Sequence, residues 1–487
     1  MRPKVRFTIV LLAALACLEP VVPNPALVPP PPCTAVSTRV RGQPNILMLL
    51  TDDQTLASMA FVPKVNALLA DRGATFANYF VTLSTCCPSR ASILRGQYPH
   101  NHGVNTNLGP SGGFPKFHAE GFESSTIATW LKSAGYRTAL MGKYLNDYPG
   151  TGSTTYVPPG WDVWFAVMGP PWALGIDVAY YDYVVNENST NVRYHVTPPE
   201  YETDVLRNAA LAFICAEASD SEPFFLYLTP YAPHEPATPA PRHVGAFAGV
   251  TVPHTPSFNE ADVSDKPVAI RSLPLLGPDT IALMDTLYEH QLESLQGVDD
   301  MLQAIVDVLT STHQLDNTYI FYSSDNGYHM GQHRLGAGKA TIYEEDIHVP
   351  LVVRGPGIPA GAVYQQLVAN IDLAPTFAEL AGAAVPAFVD GRSLVPILTG
   401  DGAVWRKGLL FELQGTGISN GAIRTGRYLY RRVGTAREMY DLIADPYELQ
   451  NIALTADSTL EAGLDAWLTQ LKPCVGAICR AVEDSVF

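Results

Sequence analysis

Residues Asn45 to Leu50 read NILMLL, an almost unbroken apolar run that ends in Thr51, Asp52 and Asp53. A run without polar alternation predicts a strand covered on both faces, as in the centre of a large sheet. The same pattern marks strands at Arg137 to Met141, Phe224 to Leu228, Tyr319 to Tyr322 and Leu351 to Val353. Between them lie stretches of helical spacing: Val62 to Asp71, Pro88 to Leu94, Ser125 to Ala134 and Glu202 to Ala216. The longest helix is predicted from Asp279 to Leu309, where Met284, Leu287, Leu295, Val298, Leu302, Ile305 and Leu309 recur mostly at three- and four-residue steps on one face. Strands alternating with helices predict an α/β fold, with helices on both sides of a mainly parallel sheet.

After about Leu398 the pattern shortens. Leu409 to Leu413, Gly421 to Thr425, Tyr428 to Arg432 and Glu438 to Leu442 read as short strands, followed by a helix at Leu460 to Leu471. This predicts a smaller C-terminal antiparallel-sheet subdomain (399–487) after a catalytic-sized domain (43–398). Ahead of both, Arg2, Lys4 and Arg6 precede the short apolar stretch Thr8 to Leu18, which reads as a signal peptide (1–22). The proline-rich segment that follows reads as a linker (23–42). The protein is therefore expected to be secreted or otherwise extracytoplasmic. No later stretch is long and apolar enough to span a membrane.

Charge narrows the function. Lys plus Arg number 31 against 47 Asp plus Glu, a net charge of −16, which repels phosphate backbones and excludes nucleic acid as a partner. Export allows disulfides among the seven cysteines. Cys474 and Cys479 enclose a short loop and are expected to pair, with two free buried thiols as the alternative.

Two acidic clusters follow apolar strands, where ligands gather in open α/β sheets. Asp52 and Asp53 alone read as a helix cap, and Asp325 with Asn326 alone reads as a turn. Taken together, three carboxylates and an amide oxygen are hard donors suited to calcium or magnesium. If they converge at ~4 Å, each like-charged pair costs roughly 4 kcal/mol at an effective dielectric near 20, which a divalent cation would offset. The third cluster is Cys86, Cys87, Pro88, Ser89 and Arg90. Adjacent cysteines can form a disulfide or fill a core.

The string Cys-Cys-Pro-Ser-Arg also resembles the C-x-P-S-R motif of the type I sulfatases, in which the first cysteine becomes formylglycine. The resemblance runs from Asn45 to about Cys479. It takes in Gly142-Lys143-Tyr144, Ala232-Pro233-His234, Gly338-Lys339, Val349-Pro350 through Gly357, and Met439-Tyr440-Asp441-Leu442. The strings at 142–146 and 158–161 are most similar to the glucosamine-6-sulfatase branch.

The resemblance implies an alkaline-phosphatase-like large mixed sheet flanked by helices. It implies a sulfate monoester hydrolase with formylglycine formed from Cys86 by a formylglycine-generating enzyme. One calcium ion would be held by Asp52, Asp53, Asp325, Asn326 and the modified Cys86. Arg90 would stabilise the aldehyde hydrate, Lys143 and Lys339 would neutralise the sulfate, and His234 would protonate the leaving alcohol. The expected substrate is a sulfated sugar such as N-acetylglucosamine-6-sulfate, or an aryl sulfate, selected by rim loops at Val167 to Tyr183 and Glu235 to Val252.

Two departures stand out. Leu145 occupies a place where many members carry histidine, which leaves His102 as the candidate base for the second step. Arg95-Gly96-Gln97 replaces the usual Thr-Gly and basic residue after the motif. The rival readings are a phosphatase or phosphonate monoester hydrolase of the same superfamily, and a catalytically silent binding protein of the same fold.

Overall fold

The computed structural model describes residues 33–37, 42–169, 180–400, 404–414 and 420–485. The predicted signal peptide, most of the proline-rich segment and residues 170–179 of one rim loop lie outside them.

Ten strands form one sheet, numbered here in chain order: β1 (Asn45–Thr51), β2 (Ala74–Phe76), β3 (Arg137–Lys143), β4 (Val163–Val167), β5 (Val184–Glu187), β6 (Thr190–Arg193), β7 (Phe224–Thr229), β8 (Thr318–Ser324), β9 (Leu351–Arg354) and β10 (Ala362–Tyr364). Their spatial order is β10-β2-β9-β8-β1-β7-β3-β4-β5-β6. The five central strands, β8 to β4 in that order, run parallel. β9 and β5 join antiparallel on either side, so the sheet is mixed.

β1 explains the unbroken apolar run. Ile46, Met48 and Leu50 enter one hydrophobic core, while Leu47 and Leu49 enter the core on the opposite face. Side chains alternate along a strand, so only a strand buried on both faces requires apolar residues at every position. Helix α1 (Cys86–Arg95) and helix α4 (Leu373–Leu380) contribute to the first core. Helices α2 (Glu202–Glu217) and α3 (Pro278–Ser311) contribute to the second. The expected Val62 to Asp71 helix is instead one α-turn, Pro63–Val65, widening into a π-turn at Asn66–Ala70.

The C-terminal strands β11 (Gly408–Glu412), β12 (Gly421–Thr425), β13 (Tyr428–Val433) and β14 (Ala436–Asp441) form an antiparallel meander. Helix α5 (Ser458–Leu471) covers the meander. Its core includes Phe411, Ile423 and Trp467 together with Tyr98 and Tyr343 of the larger domain, so the two parts share buried surface.

A buried ion network fastens the last helix, α6 (Ala477–Asp484), to that junction. Arg406 Nη2 donates to Asp372 Oδ1 at 2.6 Å, Arg406 Nε donates to Glu483 Oε2 at 2.8 Å, and Tyr98 donates to Glu483 Oε1 at 2.6 Å. Removing the guanidinium leaves the buried Asp372 carboxylate without its cation and leaves Glu483 to Arg392 alone. Arg406→Ala is therefore expected to destabilise the chain by about 3–5 kcal/mol, read as a lower denaturant midpoint. An unchanged midpoint would contradict this account.

Cys474 pairs with Cys479. A second bridge, Cys33 to Cys215, ties residue 33, within the stretch read as linker, to helix α2. Among the described residues, no helix is long and apolar enough to cross a membrane.

Candidate active site

The parallel register gathers the chemistry. Thr51 lies opposite Ser324, so Asp52 and Asp53 leave β1 beside the point where Asp325 and Asn326 leave β8. On the other side of β1, β7 leads into Ala232, Pro233 and His234, and β3 ends on Lys143. Four neighbouring strands thus deliver ligands and cations at their carboxyl ends. Helix α1 points its first turn at the same place. It ends at Gly96 (φ +66°), where an added Cβ would meet Val389 Cγ1 at 2.9 Å.

Cys86 is fully buried, with its Sγ 3.4 Å from Asp52 Oδ1 and 2.8 Å from Lys339 Nζ. Cys87, one residue on, packs into the apolar core instead. Both thiols are free, which rules out the adjacent-disulfide alternative. Burial and the nearby Asp52 carboxylate push the Cys86 thiol up to about 12, so at neutral pH it is a thiol and not a ready thiolate.

Arg90, one turn along α1, is also buried. Its Nε donates to Asp325 Oδ2 at 2.7 Å, Nη2 to Asp52 Oδ2 at 3.3 Å and Nη1 to the Lys143 carbonyl at 2.8 Å. Lys143 pairs with Asp52, and Lys339 pairs with Asp53. Burial alone would raise the Asp52 carboxyl, but Lys143, His234, Arg90 and Lys339 hold it well below the usual carboxylate range. Asp325 is shifted the other way, raised by burial and by the like charge of Asp52.

His234 Nε2 lies 3.7 Å from Asp53 Oδ2, and its Nδ1 is 2.6 Å from the Glu235 carbonyl oxygen. If Nδ1–H donates there, Nε2 is the nitrogen turned to the site. Its side chain is 30% exposed, which leaves it reachable by a substrate.

Ligand atoms of Asp52, Asp53, Cys86 and Asp325 lie within 4.8 Å of one another. Asn326 Nδ2 donates to Asp53 Oδ1 at 2.6 Å, while Asn326 Oδ1 is buried with no hydrogen-bond partner. An orphaned amide oxygen beside crowded carboxylates fits a bound hard cation.

His102 does not join this group. It is buried, its Nε2 lies 3.0 Å from Ser92 Oγ, and its Nδ1 accepts from Val104 N at 3.1 Å. Both ring nitrogens are occupied inside the fold, and burial with nearby Arg95 lowers the imidazole to about 3. The role as second-step base is corrected: His102 braces α1. Leu145 packs into the apolar core and leaves that role to no histidine at its own position.

Two positioning residues escaped the sequence reading. The Tyr231 ring lies 5.1 Å from Lys143 Nζ, and Asn107 Oδ1 accepts from Cys87 N at 2.8 Å. Tyr231 stands directly before the 232–234 string and was findable by position. Asn107 carries no local signal.

Residues 44–383 match the family model described as sulfatase, and residues 331–472 match the one described as N-sulphoglucosamine sulphohydrolase, C-terminal. The N-acetylglucosamine-6-sulfatase of Capra hircus is 36% identical over 494 residues, spanning 92% of this chain and 87% of that protein. The arylsulfatase of Volvox carteri is 33% identical, spanning 90% and 76%. A solved structure of a protein in complex with its substrate D-glucosamine-2-N,6-O-disulfate superposes with a TM-score of 0.72 at 26% identity, covering 88% of this chain and 98% of that one.

Proposed function

The chain belongs to the sulfatase family and is a sulfuric ester hydrolase, and from that premise we propose that it cleaves a 6-O-sulfated amino sugar with a formylglycine made from Cys86 and one calcium ion. The observation that carries this reading is the meeting of Cys86 with three carboxylates, one orphaned amide oxygen and three cations.

Asp52, Asp53, Asp325 and Asn326 would hold calcium, with the modified side chain of residue 86 beside it. When present, the ion and the formylglycine hydrate supply a Lewis acid and an oxygen nucleophile. The chain's own groups do the rest. Arg90 fixes the first turn of α1 against Asp52 and Asp325, so residue 86 is held in one orientation. Arg90, Lys143 and Lys339 already balance the three carboxylates, so an added divalent cation leaves the pocket positive and able to draw in a sulfate monoester despite the acidic surface. His234 Nε2, at the solvent edge of the site, would carry the proton for the departing alcohol oxygen.

An extracytoplasmic location is part of the proposal. It is supported by the two disulfides and by the basic and apolar start of the chain. Maturation there would require a formylglycine-generating enzyme as a partner.

The substrate reading rests on the amino-sugar relatives. Comparing kcat/KM for a glucosamine-6-sulfate sugar with that for an aryl sulfate tests it, since the ratio measures differential transition-state binding. The sugar is expected to win by roughly 10²-fold once leaving-group reactivity is allowed for. Turnover of aryl sulfates alone would overturn the substrate class and leave sulfate ester hydrolysis intact.

A further inference from the structure

A second buried cluster stands apart from the residues assigned to the reaction. His333 lies in the loop after β8, Glu345 in the short helical turn Glu344–Ile347, and Glu448 in the loop that leaves β14. One ligating atom from each lies within 4.8 Å of the other two. His333 and Glu448 are 0% and 1% exposed.

In all three side chains, one polar atom is anchored and the other is left over. His333 Nδ1 sits 2.6 Å from Glu260 Oε2. Glu448 Oε2 accepts from Glu344 N at 3.1 Å, and the Ser257 hydroxyl donates to Glu345 Oε1 at 3.4 Å. The remaining atoms, His333 Nε2, Glu345 Oε2 and Glu448 Oε1, are buried with no hydrogen-bond partner. Nearby guanidiniums are engaged elsewhere: Arg424 pairs with Glu344 and Arg431 with Glu438.

Buried polar atoms are nearly always paired, so three orphans converging on one point call for an occupant. We propose that His333, Glu345 and Glu448 form a second metal site, one that takes a divalent cation of the zinc class and pins the C-terminal subdomain to the larger domain. An imidazole nitrogen with two carboxylates suits zinc better than calcium, and two carboxylates neutralise its charge. The Glu260 carboxylate behind Nδ1 is the arrangement that turns the other ring nitrogen toward a metal. An adjoining cavity of about 370 Å³, lined by Gln332, Glu345, Pro446 and Tyr447 among others, offers a route from solvent and room for a water ligand.

The test is metal analysis of whole protein equilibrated with zinc chloride and then dialysed. Wild type and Asp325→Ala, which spares this cluster, are each expected to retain one zinc per chain. Glu448→Gln, which keeps the oxygen that Glu344 N can bond, is expected to lose it. Glu260→Gln should weaken zinc affinity about 10- to 100-fold. Wild type without zinc, or Glu448→Gln retaining as much as wild type, overturns the proposal. Should that variant not fold, anomalous scattering at the zinc edge from wild-type crystals decides. A peak between the three side chains supports the site, and a plain buried water there refutes it.

Discussion

Cys86→Ala is expected to lower sulfate ester turnover by roughly 10⁴-fold or more, while Cys87→Ala keeps most of it. The two residues are chemical twins one position apart, so the contrast isolates placement from composition. Cys86 Sγ faces Lys339 and Asp52, whereas Cys87 faces the apolar core. Loss of the Cys87 thiol leaves a small void and should cost about 1 kcal/mol of stability, with little effect on chemistry. Steady-state kinetics on an aryl sulfate reads the difference. Mass spectrometry of the wild-type peptide should show residue 86 without its thiol mass and reactive to a hydrazide. Wild-type rates from Cys86→Ala would end the nucleophile assignment.

Asp325→Ala is expected to empty the proposed calcium pocket and to reduce kcat/KM by about 10³-fold or more. Asp325 meets the other carboxylates on one side and Arg90 Nε on the other, at 2.7 Å. The alanine variant therefore also leaves a buried guanidinium short of a partner, with a stability penalty of about 3–5 kcal/mol. Asp325→Asn separates these effects, because it preserves shape and removes only the charge. Both variants should show less than stoichiometric calcium by elemental analysis, and added calcium should restore activity partly in Asp325→Asn and not in Asp325→Ala. Calcium content and rates equal to wild type in both would refute the ligand role.

Much of the scaffold could be read from the chain. The run at 45–50 read as a doubly buried strand and formed one, and the apolar face expected over 279–309 became the helix Pro278–Ser311. The strand at Gly421 to Thr425 formed where its pattern put it. The cysteine string at 86–90 carried the resemblance on which the proposed site rests. These features are local: strand and helix periods are set by backbone geometry, so a short window of sequence carries them.

What the tertiary structure decided depends on partners far away in sequence. The pairing of Thr51 with Ser324 brings the two acidic clusters together, and no window around either strand contains that register. His102 and His234 both lie within three residues of a proline, yet one is used up by Ser92 and Val104 and the other turns toward Asp53. Cys33 finds Cys215 across 182 residues. His333, Glu345 and Glu448 have no common motif and meet only because the C-terminal meander docks on the larger domain. The sequence determined which elements form and which residue types the chemistry can use. Burial, charge neighbours and long-range pairing, which exist only once the chain is packed, determined which of those residues share a site.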